Sequence, residues 1–209
     1  MGYWLDLFTG TTWGEFRRAG ATVSGFRESM RNIATKVQPG DIFLCYLTGV
    51  MRWVGALEVV GPSSDKDKIW SDEAFPVRFE VKPLILLDPE HGVPMTELEG
   101  RVEFYTGPED RGKFKGFVRQ SPRRLVSTKD GELLLALLKK AQTSPVSRPV
   151  DPKKLARKPL FKAELRRGRT VVPAVVSVPE SEEEDQAIDH TESLEEEAAR
   201  TRHTVIQFT

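Results

Sequence analysis

Residues 76–88, PVRFEVKPLILLD, constrain the fold more than any other stretch of this chain. Val77, Phe79 and Val81 alternate with Arg78, Glu80 and Lys82, the period of two that a strand shows when one face lies on a core and the other meets water. The run then turns wholly apolar, so the strand enters a region where both faces are covered. Two further apolar runs, DIFLCYL (41–47) and RWVGALEVV (52–60), are joined by a Thr-Gly turn and read as a β-hairpin enclosed on both sides at its centre. A chain with these strands must build a sheet and then cover it.

The covering material is legible around them. GYWLDLF opens as a strand, and TTWGEFRRAG follows as a short helix with Thr12 and Glu15 spaced as a capping box and Gly20 as its stop. Ser24 is placed to cap a second helix in which Phe26, Met30, Ile33 and Val37 recur at helical spacing until QPGD ends it. Residues 89–128 are loop-rich with a strand expected near RRLVS, and DGELLLALLKKA reads as a closing helix capped from Ser127 to Asp130. From 143 to 188 the chain is rich in Pro, then Lys and Arg, then Glu, the composition of a linker. Within 189–209, Ser193 and Glu196 begin another helix, expected to be the entry to a downstream effector domain.

The 31 basic and 31 acidic side chains balance, but they are segregated. Residues 1–110 hold 11 basic and 17 acidic groups, residues 111–170 hold 18 and 4, and residues 171–209 hold 2 and 10. The central block has the charge of a nucleic-acid-binding surface or of a solvated basic linker. Cys45 is the single cysteine and sits in an apolar run, so one chain offers no disulfide framework and no cysteine-based zinc site; a reducing cytoplasm is the expected compartment. Three histidines, two of them in the tail, give little material for a histidine triad or metal site, and the sequence lacks nucleophile-elbow, phosphate-loop and dinucleotide motifs. No metal or cofactor is expected. One catalytic alternative stays open, a magnesium-dependent nuclease using Asp72, Glu80 and Lys82, since an Asp followed by Glu-x-Lys on one strand face can hold Mg²⁺ and position water.

The segments YWLDLFTG, SGFRES, GDIFLCYLTGVMRWVGALEVVGP, IWSDEAFPVRFEVKPLILL and RRLVSTKDGELLL occur in the order and spacing of the EVE and YTH families, and residues 3–141 resemble these members of the PUA-like superfamily. The resemblance implies an α+β fold, an open twisted β-barrel of about six strands flanked by helices, over residues 1–142. It also implies a reader that accepts one flipped modified base in an aromatic cage and catalyses nothing itself. Cage positions fall on Phe26, Trp70 and Phe75, with Thr9, Ser24, Arg27, Thr48 and Asp130 beside them as candidates to read the base edge or the backbone. Phe stands at two of the three cage positions where the YTH pattern has Trp, and LFTG replaces the Lys-Ser pair after the first strand, so the modified base need not be N6-methyladenine.

From the residues alone, Phe26 also fits simple core packing, and Trp70 with Phe75 also fits a lid over one barrel end. Lys113, Lys115, Arg119, Arg123, Arg124 and Lys129 are the candidates for phosphate contacts. The reading is a non-catalytic module for nucleic acid carrying N6-methyladenine or a modified cytosine, DNA in preference to RNA, acting as the specificity element of a modification-dependent restriction or defence protein with a fused or associated nuclease. The alternative is a PUA-like RNA-binding module.

Overall fold

The computed structural model describes residues 1–71, 74–107, 109, 117–118, 121–156, 161–167 and 170–176. Its contacts divide the chain into Met1–Lys158 and Pro159–Thr209. The first unit runs β1 (Tyr3–Phe8), α1 (Gly10–Arg18), β2 (Val23–Phe26), a 3₁₀ turn, α2 (Arg31–Ala34), β3 (Ile42–Leu47), β4 (Arg52–Ser63), β5 (Val77–Leu86), β6 (Val93–Pro94), β7 (Arg123–Arg124), α3 (Thr128–Thr143) and α4 (Pro152–Leu155). Six strands form one curled path in the order β2-β5-β4-β3-β1-β7, and β6 adds to β4. Only β1 and β3 are parallel; the other pairs are antiparallel. This is the α+β open barrel that the sequence leads one to expect.

The sheet has two apolar faces. Tyr3, Leu5 and Leu7 of β1 point into one cluster with Leu44, Trp53, Ile85 and the α3 residues Leu134 and Leu138. Trp4 and Phe8 point into the other, the barrel interior, with Phe26, Phe43, Leu57, Phe79 and Val81. The alternation of β5 therefore reports the interior correctly: Val77, Phe79 and Val81 are buried, while Glu80 and Lys82 are exposed. α3 lies close on β1, where a β-carbon at Gly131 would stand 2.1 Å from the Tyr3 ring.

Local signals are partly displaced by tertiary ones. The first helix starts one turn earlier than its expected box: Thr9 is the N-cap, its Oγ1 accepting from Thr12 N–H at 3.1 Å while Thr12 Oγ1 accepts from Thr9 N–H at 2.9 Å. Gly20, at φ +94°, ends that helix as expected. The expected helix from Ser24 is corrected more deeply. Val23–Phe26 is a strand, paired antiparallel to β5 from Val23 opposite Glu80 to Phe26 opposite Val77, and only the 3₁₀ turn and the four-residue α2 follow it. Pairing with an otherwise open edge of β5 outweighs a weak helical period.

In the second unit, β8 (Phe161–Arg167) and β9 (Thr170–Val176) pair antiparallel, Phe161 opposite Val176 and Arg167 opposite Thr170. The 143–188 stretch, expected to be a linker with an apolar patch at TVVPAVVSV, contains α4 and a hairpin whose second strand falls on that patch. The helix expected within 189–209 lies outside the described residues.

Candidate functional site

β2 decides the site, because its successive residues face opposite ways. Ser24 and Phe26 point into the barrel and are buried, whereas Val23 and Gly25 lie on the other face. Phe26 forms edge-to-face contacts with Phe43 (centroids 5.3 Å apart) and Phe79 (6.0 Å), and these two meet each other at 5.7 Å. Trp70 and Phe75 sit instead on the Gly25 side: a β-carbon there would stand 2.7 Å from Phe75 Cβ and 2.8 Å from the Trp70 six-membered ring. The three rings expected to share one cage are therefore separated by the thickness of a strand. Phe26 is a core residue.

Trp70 and Phe75 contact each other edge to face, 4.9 Å between centroids at 87°, with 3% and 8% of their surfaces exposed. Arg78 ties them down from β5. Its guanidinium lies 5.6 Å from the centre of the Trp70 ring, its Nε donates to the Phe75 carbonyl at 3.1 Å, and its Nη1 pairs with Asp65 at 2.8 Å. Ser71 Oγ donates to Glu15 of α1 at 2.5 Å, fixing the other end of the segment. One group in this arrangement is left over. The indole N–H of Trp70 is buried and, among the described residues, has no hydrogen-bond partner.

A cleft of about 540 Å³ is lined by Glu15, Arg18 and Ala19 of α1, Thr22 and Val23, and Asp65, Asp67, Lys68 and Ile69, the last of which precedes Trp70. Val23 shares the outer face of β2 with Gly25, while the rings of Trp70 and Phe75 themselves stay buried beside that glycine. Sequence reasoning missed the polar lining of this cleft. Glu15, Arg18, Asp65 and Lys68 come from segments far apart in the chain, and their only signal is proximity in sequence to Trp70 or a place in the first helix.

The other expected pocket residues are placed elsewhere. Thr9 caps α1, and Thr48 Oγ1 donates to the Phe8 carbonyl at 3.2 Å, so both hydroxyls are used by the fold. Arg27 is half-buried just beyond β2. Asp130 lies in the first turn of α3, on the far side of the sheet from Ser24, where its Oδ2 accepts from Glu103 N–H at 2.9 Å; burial raises its carboxyl above the ordinary range. Of the expected phosphate contacts, Arg124 and Lys129 are exposed, and Arg123 is half-buried over the Phe117 ring at 5.1 Å. Lys113, Lys115, Arg119 and Asp72 lie outside the described residues. Glu80 and Lys82, the other two members of the nuclease alternative, are exposed on β5.

Ser24 has a partner that sequence reasoning missed. Its hydroxyl donates to Asp6 Oδ2 at 2.6 Å, a bond from one edge strand of the barrel to β1 near the other. Ser121 Oγ reaches Asp6 Oδ1 at 3.5 Å and accepts from Leu7 N–H at 3.0 Å. Asp6 is 1% exposed, and burial pushes its carboxyl up to about 7 against the lowering effect of the two serines. Cys45, opposite Asp6 in the sheet, is buried too, and burial and the Asp6 charge push its thiol well up.

No protein-family model matches the sequence, and neither does any curated protein sequence. Solved structures do match. The Pho92 YTH domain in complex with m6A superposes with a TM-score of 0.51 over 72% of this chain and 90% of that one, at 13% identity. The fold is the YTH fold. The Mmi1 YTH domain in its complex with RNA (TM-score 0.48, 13% identity, 71% and 84% covered) and the YTH domain of Zygosaccharomyces rouxii MRB1 with N6-methyladenosine RNA (0.47, 13%, 70% and 89%) are similar at lower scores. In this YTH-type barrel, the outer face of β2 carries a glycine seat filled by an aromatic pair.

Proposed function

We propose that the domain is a non-catalytic reader that takes one modified base, turned out of its strand, into the cleft beside α1 and stacks it on Trp70. The observation that carries this reading is the Trp70 indole: a large ring seated on Gly25, next in the chain to the cleft-lining Ile69, with its one polar atom unsatisfied among the described residues. A buried donor without an acceptor costs about 1–3 kcal/mol, so moving the ring to where its N–H meets a base or water recovers part of what leaving the seat costs. Stacking a base on an aromatic contributes about 1–3 kcal/mol, comparable to the few kcal/mol needed to unstack it from a duplex.

A methyl group adds only about 0.8 kcal/mol by burial, so selectivity also needs polar groups that read the base edge. Glu15, Asp65 and Asp67 supply acceptors at the cleft for the exocyclic amino group of N6-methyladenine or of a modified cytosine. DNA is the favoured polymer, with the domain as the specificity element of a modification-dependent restriction or defence protein. RNA is the competing partner, because the same fold type serves both.

The test is a binding titration by fluorescence anisotropy. Duplex DNA and single-stranded RNA oligonucleotides of one sequence would carry N6-methyladenine, 5-methylcytosine, 5-hydroxymethylcytosine or no modification. A preference of about tenfold or more for one modified oligonucleotide, roughly 1.4 kcal/mol, supports the reading; equal affinity across the set in both polymers ends it.

A further inference from the structure

Ser24 and Gly25 are neighbours on β2 that serve opposite faces of the barrel wall. The buried Ser24 hydroxyl donates inward to Asp6 Oδ2 at 2.6 Å, while Gly25 seats Trp70 and Phe75 on the outside. The wall is one strand thick there, so whatever moves Ser24 moves the seat. β2 has few other ties. It is four residues long, ends the strand order and pairs with β5, and among the described residues no ladder joins it to β1. The Ser24–Asp6 bond spans that gap.

Asp6 holds both sides of the gap best while it carries a proton. Oδ2 then accepts from Ser24, and a proton on Oδ1 has Ser121 Oγ before it at 3.5 Å. Ser121 Oγ in turn accepts from Leu7 N–H at 3.0 Å, tying the approach to β7 onto β1. The groups facing the carboxyl are neutral: Ser24 from β2, the Cys45 thiol from β3, and Trp4 and Phe8 to either side on β1. Charged side chains nearby are turned away or engaged. Arg123 of β7 stands opposite Leu5, whose side chain enters the other apolar cluster, and lies over the Phe117 ring. Glu80, opposite Val23, is exposed, and Asp41 accepts from the Trp4 indole at 2.8 Å and from Gly2 N–H.

Burial and the two serines therefore govern the charge of Asp6, with no cation taking part among the described residues, and the carboxyl stands at about 7. Below that pH the proton stays. Above it the interior holds a carboxylate it cannot solvate, and the wall must part to admit water. The rings press on Gly25 too closely to leave room for even a methyl group, so a shift of a fraction of an ångström is felt at the seat.

Resting on the proposed function, we infer that Asp6 is a positioning residue for the reader site: protonated, it clasps β2 to β1 through Ser24 and keeps the Gly25 seat shaped to present Trp70 to a modified base, and ionised it releases the seat. Preference for the modification then belongs to the acid side of neutrality. Phosphate contacts made elsewhere do not depend on the clasp.

The experiment follows the full chain from about pH 5.5 to 8.5, unmutated and as Asp6→Asn and Ser24→Ala. One readout is the indole N–H resonance of Trp70 in ¹⁵N-labelled protein, assigned by its loss in Trp70→Phe. The other is the ratio of affinities for the N6-methyladenine and 5-methylcytosine duplexes over the unmodified duplex. In the unmutated chain the resonance should change in one step centred near pH 7, and the ratio should fall about fivefold or more across that step while unmodified binding holds. Asp6→Asn stays neutral and still accepts from Ser24, so it should remove the step and rescue the ratio above pH 8. Ser24→Ala should lower the ratio about threefold or more at acid pH and uncouple the resonance from the titration. A resonance without a step, or the same step in Asp6→Asn, overturns the clasp. A step with an unchanged ratio, or an equal fall in unmodified binding, overturns its link to the site. Failure of the modified-base reading shows itself differently, as a ratio of one at every pH in the unmutated chain, and the resonance alone then decides whether Asp6 holds the seat.

Discussion

Two aromatic groups in this domain are almost equally buried and both pack edge to face, yet their backbones and polar atoms are held differently. The Phe26, Phe43 and Phe79 cluster comes from three strands of one sheet, and all its rings meet apolar neighbours. The Trp70 and Phe75 pair comes from a segment between strands, is held by one arginine and one serine, and keeps an indole N–H without a partner among the described residues. Burial therefore does not distinguish core from site here. The distinction lies in whether the backbone is held in a ladder and whether every polar atom is satisfied.

The comparison breaks most readily at Phe26. Phe26→Ala should cost about 3–5 kcal/mol, measured by chemical denaturation, because the strands around it leave a cavity they cannot close. A cost near 1 kcal/mol, the usual size for an unremarkable substitution, would mean that Phe26 is no more integral than the edge pair.

The interior also holds a titrating group, and its effect comes next in size. Asp6 has its carboxyl at about 7 in the folded protein against 3.8 for an ordinary one, so the native state keeps a proton that the unfolded chain releases. The stability contributed by this group is fully present below about pH 4 and is lost as pH rises through about 7, by up to about 4 kcal/mol. Denaturation midpoints between about pH 4 and 8 should fall with this sign, and Asp6→Asn should flatten the dependence. A slope of opposite sign attributable to Asp6 would mean that its serine bonds outweigh its burial.

At the edge, Trp70→Ala should cost about 2 kcal/mol, less than a core tryptophan, because the truncation also removes the unsatisfied N–H. Binding should keep its weak, salt-sensitive part and lose the preference for a modified base. Global unfolding of this variant would move Trp70 into the core class. The smallest effect sharpens the contrast: Trp70→Phe should change stability by no more than about 1 kcal/mol in the same denaturation experiment, since lost contact area is offset by the removed donor.

The expected three-ring cage fails for a reason visible in one strand. Phe26, Met30, Ile33 and Val37 fall at helical intervals, and helical spacing gives Phe26 no preferred side relative to Gly25. Once VSGF pairs with β5, the period becomes two, and Gly25 and Phe26 must face opposite ways. Thr9 and Thr48 fail differently: their hydroxyls are consumed by a helix cap and a strand-end carbonyl, local uses that outcompete a ligand. Trp70 and Phe75 do meet as a pair, because two large rings in a polar stretch between strands have no ladder to join and bury their area against each other and a bare glycine.

What the sequence determined by itself was the set of strands with clear alternation, the hairpin of β3 and β4, the closing helix with its Ser127 cap, and through them the open barrel. These follow from neighbours close along the chain, whose periodicity is written in the residues. Only the tertiary structure decided that Ser24 reaches Asp6 across the barrel, that Gly25 seats an indole, and that Gly10 receives Leu155. Each of these is a contact between segments far apart in sequence, and periodicity records that a residue is covered without recording what covers it.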